Sequence, residues 1–187
     1  MLALAAVFAL AVFGRQADRP AQAPIDDFCV VAPATPYDPA AGLPMLAPRP
    51  VPAEARCPVC GMYPARSPRW AGQILFRDGA AQFFDSPIDL FAFLQKIGRY
   101  NRSYALDDVA ARFVSDFETG GWIALESAFF VHGSAAPGPM RGGDLPAFAS
   151  RAAAGRFASK QGGRVLAFSQ VTPELVASLN RNVRHRH

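Results

Sequence analysis

The pattern of apolar and polar positions divides the chain near residue 56. Before it, one unbroken apolar run covers residues 2–13, followed by a stretch too rich in proline to hold any period. After it, regular elements follow one another. Residues 70–76 read as a strand, Asp78-Gly79 is a two-residue hairpin signal, and residues 80–84 return as a second strand. Ser86 is a good helix N-cap with Pro87 at the first helical position. Leu90, Phe91, Leu94 and Ile97 then fall on one helical face, and Gly98 is expected to end the helix. Residues 111–117 read as a third strand, broken by Gly120-Gly121. The order is strand, strand, helix, strand.

That order recurs. Residues 122–125 and 128–131 read as two short strands around Glu126-Ser127, and a loop over 133–143 leads to a helix from about 145 to 159, with Phe148, Ala152 and Phe157 as apolar marks. Gly162-Gly163 opens a strand over 164–168, and Trp70 and Trp122 would hold corresponding positions in the two copies. A last helix starts at Thr172-Pro173-Glu174, a cap, a proline and an acid that the helix dipole favours. The expected fold class is α+β: two similar ββαβ halves, at 56–120 and 121–180, packed together behind a proline-rich extended segment. Residues 181–187 form a basic tail.

Composition narrows the possibilities. A chain of 187 residues can bury about two-thirds of its unfolded surface and needs neither disulfides nor metal merely to fold. The net charge of +4 gathers in the tail, and no basic stripe is interleaved with aromatics, so nucleic acid is not an expected partner. Residues 2–13 would form a helix of about 18 Å against a hydrocarbon core of about 30 Å, so 1–24 reads as an export signal or short N-terminal anchor. Nine of the seventeen prolines fall between Pro20 and Pro52, which makes 25–55 an extended linker or strap. Cys29 follows Asp26-Asp27-Phe28, a poor context for lipid attachment, and reads as a half-buried free thiol.

The most specific chemistry is Cys57-Pro58-Val59-Cys60-Gly61-Met62, two thiols and a thioether within six residues of a chain with three cysteines and four methionines. Four readings compete. A redox pair wants its first cysteine at a helix N-terminus, whereas Gly61 and Pro64 follow closely here. Zinc wants two further ligands, and His132 stands alone in the sequence. A Cys57–Cys60 disulfide fits an exported protein. Cu(I) prefers thiolate and thioether donors, and Met62 favours it over zinc. Met140 is presented on the small-residue loop His132-Gly133-Ser134-Ala135-Ala136-Pro137-Gly138-Pro139-Met140 and would either complete a Cys/Met site or form part of an interaction surface. Asp85 reads as a helix-start residue and no more. No nucleophile–base pair or paired carboxylates stand out, so an enzyme is not expected.

The ordered set Cys57-Pro58-Val59-Cys60-Gly61-Met62, Phe83-Phe84-Asp85-Ser86-Pro87, Gly133-Ser134 with Gly138-Pro139-Met140, and Gly162-Gly163 resembles the NosL family of nitrous-oxide reductase accessory proteins, from about residue 50 to 171. The resemblance implies a periplasmic Cu(I) chaperone, usually tethered as a lipoprotein, that supplies the multicopper centres of apo nitrous-oxide reductase together with an ABC-type transporter complex. It also implies two ββαβ halves and metal ligation by Cys57, Cys60, Met62 and Met140. The chain departs from the pattern in lacking a lipid-attachment cysteine with a proper preceding box, so any anchor would fall to the N-terminal apolar run or to a start upstream of it. Against this stand a periplasmic thiol–disulfide oxidoreductase and a zinc-stabilised interaction module.

Overall fold

Two antiparallel sheets share the strands, and alternation along them decides what each face covers. The computed structural model describes residues 32–184; the apolar run, Cys29 and residues 185–187 lie outside that range. Strand β1 (Gly72–Phe76) turns through Asp78-Gly79 into β2 (Ala81–Phe84). Gly79 takes φ +81° there, and Asp78 accepts hydrogen bonds from the Ala80 amide (2.9 Å) and the Tyr104 hydroxyl (2.7 Å). Strand β3 (Val109–Ser115) pairs with the other edge of β1, and β4 (Trp122–Ala124) pairs with β3, giving the order β2-β1-β3-β4. In the second sheet β5 (Phe129–His132) lies between β6 (Ala147–Phe148) and β7 (Arg164–Ala167). The helices are α1 (Pro87–Gln95), the short α2 (Ile97–Tyr100), α3 (Arg151–Gln161) and α4 (Pro173–Arg184). Among the described residues, no helix is long and apolar enough to cross a membrane.

The two halves have one topology. In each, the first strand is central, flanked by the second and third, with the helix between those two: β2-β1-β3 around α1, and β6-β5-β7 around α3. The α+β class with two ββαβ units is thus as expected, with corrections of detail. The strand at Trp122 pairs not with the next strand but with β3, register Ser115↔Trp122, so it extends the first sheet and the second unit opens at Phe129. Trp70 and Trp122 therefore do not correspond. The helix expected from 145 begins only at Arg151, because Pro146 and its neighbours are held extended. The Pro146 carbonyl accepts from the Val131 amide (3.1 Å), and Ala147 and Phe148 pair with Phe130 and Phe129. Gly98 does not end α1 either. That helix breaks at Lys96 (φ −147°), and Gly98 sits inside the following turn.

One face of the first sheet meets the common core. Ile74, Phe76 and Phe84 pack with Leu90 and Phe93 of α1, and the same cluster takes in Phe130, Leu166, Val176 and Leu179 from the second half and α4. The opposite face, with Leu75 and Phe83, is covered by Val51 and Ala55 of the proline-rich strap. Fully buried Gln73 pins that strap, accepting from the Arg49 amide (3.1 Å) and donating to its carbonyl (3.0 Å). A buried amide with both ends satisfied holds an extended segment that has few backbone partners of its own.

Candidate metal centre

Residues 57–62 form a tight turn closed at both ends. The Gly61 amide donates to the Cys57 carbonyl (2.9 Å) and the Cys57 amide to the Met62 carbonyl (2.8 Å). Gly61 stands at φ +78°, a conformation a side chain would strain, so this glycine lets the chain fold back over the two thiols. The turn sits against the start of α1. There Ser86 caps the helix by accepting from the Asp89 amide (3.3 Å), Asp85 precedes the cap, and Asp89 lies in the first turn.

This packing produces a cluster that motif reasoning did not contain. The Cys57 thiol donates to Asp89 Oδ2 at 3.3 Å and the Cys60 thiol to Asp85 Oδ1 at 3.0 Å. One ligand atom from each of Cys57, Cys60, Asp85 and Asp89 lies within 4.8 Å of the other three. Both cysteines are free, and Cys57, Asp85 and Asp89 are buried while Cys60 is partly exposed. Asp85 Oδ2 is buried with no hydrogen-bond partner. An orphaned carboxylate oxygen beside two thiols is a position that a cation would satisfy.

The titration of these groups follows from crowding acids away from water. Burial pushes the Cys57 thiol up to about 12, with Cys60 opposing the shift and Asp89 and Asp85 adding to it. The hydrogen bond with Cys57 raises Cys60 far above the usual thiol range, and burial adds to it. Burial, then the neighbouring Asp85, lifts Asp89 to about 8. Cys60 is thus within reach of Cys57 as well as of the carboxylates. Without a metal the thiols stay protonated, the reverse of a redox thiol, whose thiolate must be stabilised. A bound cation would replace those protons.

The expected ligands are distributed differently. Cys57 and Cys60 form the heart of the cluster. Met62 is 37% exposed and contributes its backbone carbonyl to the turn. Met140 lines a cavity of about 10 Å³ together with Asp89, Ser86 and Asp144. Its loop is tied to α1 by Asp144, whose Oδ1 accepts from the Leu145 amide (2.8 Å) and the Ile88 amide (3.4 Å). Asp144 packs so closely on Gly138 that a Cβ there would lie 2.6 Å from its Oδ2. Burial pushes Asp144 up to about 7, opposed by the Leu145 amide. His132 ends β5, half-buried, and is not part of the cluster; burial, then Arg164, lowers its pKa. Asp85 is therefore more than a helix-start residue, and Asp89 was missed altogether. Asp85 stands just before the Ser86 cap and Asp89 in the first helical turn, where acids are ordinary, so no local signal set them apart.

Fold and cluster together define an α+β protein built around a buried thiol–carboxylate pocket able to hold a cation. The chain belongs to the NosL family, whose profile matches residues 48–176. A copper-binding lipoprotein NosL from Achromobacter cycloclastes is 42% identical over 57 residues, so the chain spans only 30% of that relative's length, and the match covers 30% of this chain. The crystal structure of the copper chaperone NosL from Shewanella denitrificans shares the fold, with a TM-score of 0.56 at 23% identity over 71% of this chain and 99% of that one. The solution structure of apo-NosL from Achromobacter cycloclastes matches 56% of this chain and 87% of its own, at 28% identity and a TM-score of 0.41.

Proposed function

We propose that this protein binds copper as Cu(I) and delivers it for assembly of the multicopper centres of nitrous-oxide reductase, acting on the apo-reductase with an ABC-type transporter complex. Membership of a family with copper-binding relatives supports the metal. The convergence of Cys57 and Cys60 on one partly open pocket is the observation that carries the reading. Thiolates are the donors Cu(I) prefers, and a site that must give its ion up needs an accessible ligand, which Cys60 supplies. Met62 and Met140 are the thioethers proposed to join them. When loaded, copper would replace the thiol protons. Two thiolates around one Cu(I) leave a net negative charge, which a protonated Asp89 is suited to tolerate. A relative that is a lipoprotein supports an exported, membrane-anchored protein working in the periplasm. A relative described as a copper-binding lipoprotein supports reading the chain as a carrier and not as an enzyme.

The test is an anaerobic titration of the reduced protein against a chromophoric Cu(I) chelator. About one Cu(I) per chain is expected, and the Cys57→Ser, Cys60→Ser double variant should weaken binding by about a thousandfold or more. Unchanged affinity in that variant would sink the reading.

A specific observation also favours zinc. Asp85 and Asp89 supply the two further ligands whose absence from the motif spoke against it, and a Cys₂Asp₂ set suits a tetrahedral divalent ion. Metal analysis of protein purified without added copper separates the two: stoichiometric zinc that Cu(I) does not displace would favour the interaction module.

A further inference from the structure

Two arginines, Arg56 and Arg66, stand on one tyrosine ring beside the thiol turn. Arg56, immediately before Cys57, lies 4.4 Å from the centre of the Tyr63 ring, and Arg66 lies 4.5 Å from the centre of the same ring. Arg56 also donates to the Gly61 carbonyl at 3.4 Å and to the Tyr63 hydroxyl, so its guanidinium folds over the turn that holds the thiols. Both arginines are exposed, as is Glu54 nearby, and among the described residues neither arginine forms an ion pair with a carboxylate. Two like charges on one ring repel, and the ring offsets this only in part. An anionic surface set against them would relieve that repulsion.

Three residues beyond Arg66, the exposed Arg69 reaches the rim of a cavity of about 220 Å³. Phe117, Phe148 and Phe157 line it, with ring centres 5.0–6.0 Å apart, and Arg156 and Lys160 add further cations. Of these cations only Arg156 has a carboxylate partner in the cavity wall, Glu118 at 3.0 Å. Exposed arginines beside the thiol turn, followed three residues on by one at the rim of an aromatic recess, have the make-up of a protein interface, with charge to steer and an apolar pocket to anchor.

We propose that Arg56, Arg66 and Arg69 form the docking surface for an acidic face of the copper-receiving protein, and that an apolar side chain of that face enters the phenyl-lined cavity. The inference rests on the delivery reading above and adds to it the chemistry of the partner's surface. Docking there brings the acceptor toward Cys60, the partly exposed member of the thiol pair. It also sets acceptor carboxylates in competition with Gly61 for the Arg56 guanidinium.

The test is stopped-flow transfer from the Cu(I)-loaded full chain to apo nitrous-oxide reductase in the presence of the transporter complex. Raising ionic strength from about 0.01 M to about 0.15 M shortens the screening length from about 30 Å to about 8 Å, and should slow transfer about tenfold or more. The Arg66→Glu, Arg69→Glu double variant should slow transfer by about tenfold at low salt and lose most of the salt dependence, with its Cu(I) affinity unchanged. The Arg66→Lys, Arg69→Lys counterpart should keep most of the rate. Equal rates for the unmodified protein and the glutamate variant at low salt would overturn the docking surface and leave delivery standing. Absence of any transfer from the unmodified protein would overturn delivery, and the docking surface with it.

Discussion

The two ββαβ halves carry the same device at the start of their helices and use it for different ends. In the first, β2 closes on Phe84-Asp85-Ser86-Pro87-Ile88-Asp89; in the second, β6 closes on Phe148-Ala149-Ser150-Arg151-Ala152-Ala153. The caps match: Ser86 accepts from the Asp89 amide at 3.3 Å, and Ser150 from the Ala153 amide at 3.1 Å. The carboxylates do not. Where the first half has Asp85 and Asp89, the second has Ala149 and Ala153. The helices also differ in burial, with every residue of α1 from Pro87 to Phe93 buried, whereas α3 buries only Ala153 and Ala154. One unit is buried at the centre of the core and carries the candidate cluster, whereas the helix of the other lies largely exposed. The fold alone therefore does not make the site; two side chains on a shared scaffold do.

The sharpest way to break this contrast is through the cores. Phe93 is fully buried under the first sheet, and Phe93→Ala should lower unfolding free energy by about 3–5 kcal/mol. Phe157 of α3 is only partly buried beside a cavity, so Phe157→Ala should cost about half as much. Urea denaturation of the metal-free protein reads both. Equal losses would mean the second half carries as much of the stability as the first.

The next effect tests the one carboxylate that the second half lends to the first. Asp144 binds the Ile88 amide at the start of α1, and burial pushes its pKa up to about 7; burial and Asp85 hold Asp89 near 8. Both values lie above the unfolded ones, so the folded state holds more protons between about pH 4 and pH 8, and metal-free stability falls as pH rises through that window. Asp144→Asn keeps an acceptor for the Ile88 and Leu145 amides but does not ionise. It should flatten the decline by about 2–3 kcal/mol between about pH 5 and pH 8, read as unfolding free energy in urea at the two ends. A slope unchanged by the substitution would remove Asp144 from the account.

These contrasts also mark how far the sequence could be read. Local signals were sufficient for Asp78-Gly79, for the Ser86-Pro87 cap and for Thr172-Pro173, because each is fixed by the conformational limits of its own residues. The strand at Trp122 was legible as a strand, but its partner was not, since pairing with Ser115 rather than with its successor is decided by how the sheets stack. Strand β6 is two residues long and hid inside an apparent helix whose true start was marked by Ser150. The sulfur of Cys57 and Cys60 announced itself through scarcity. Asp85 and Asp89 lie 25 and 32 residues from the cysteines they touch, and an acid in the first turn of a helix is ordinary, so only packing could bring them forward.

Making the first half resemble the second is the direct test of what those carboxylates do. Asp85→Ala with Asp89→Ala reproduces the Ala149 and Ala153 pattern. If the carboxylates only support the thiols, Cu(I) affinity should fall by about 10–100-fold in chelator competition. A fall as large as that of the cysteine double variant would make them ligands in their own right. No change would reduce the difference between the halves to one of burial.

The smallest effect separates a cap from a site. Ser86→Ala and Ser150→Ala each remove a hydroxyl that accepts from an amide in the first helical turn, and each should cost about 0.5–2 kcal/mol of stability. Their consequences for metal should diverge. Ser86 fixes the backbone of Asp89 and also hydrogen-bonds to Asp144, so its loss loosens the carboxylate beside Cys57 and the tie to the Met140 loop together. Ser150 touches nothing in the cluster. Chelator competition should therefore show a several-fold weaker Cu(I) complex for Ser86→Ala and none for Ser150→Ala, at closely similar losses in urea. Matching affinities would mean that the first helix start, like the second, serves only to begin a helix, and that the cluster is held in place by the thiol turn alone.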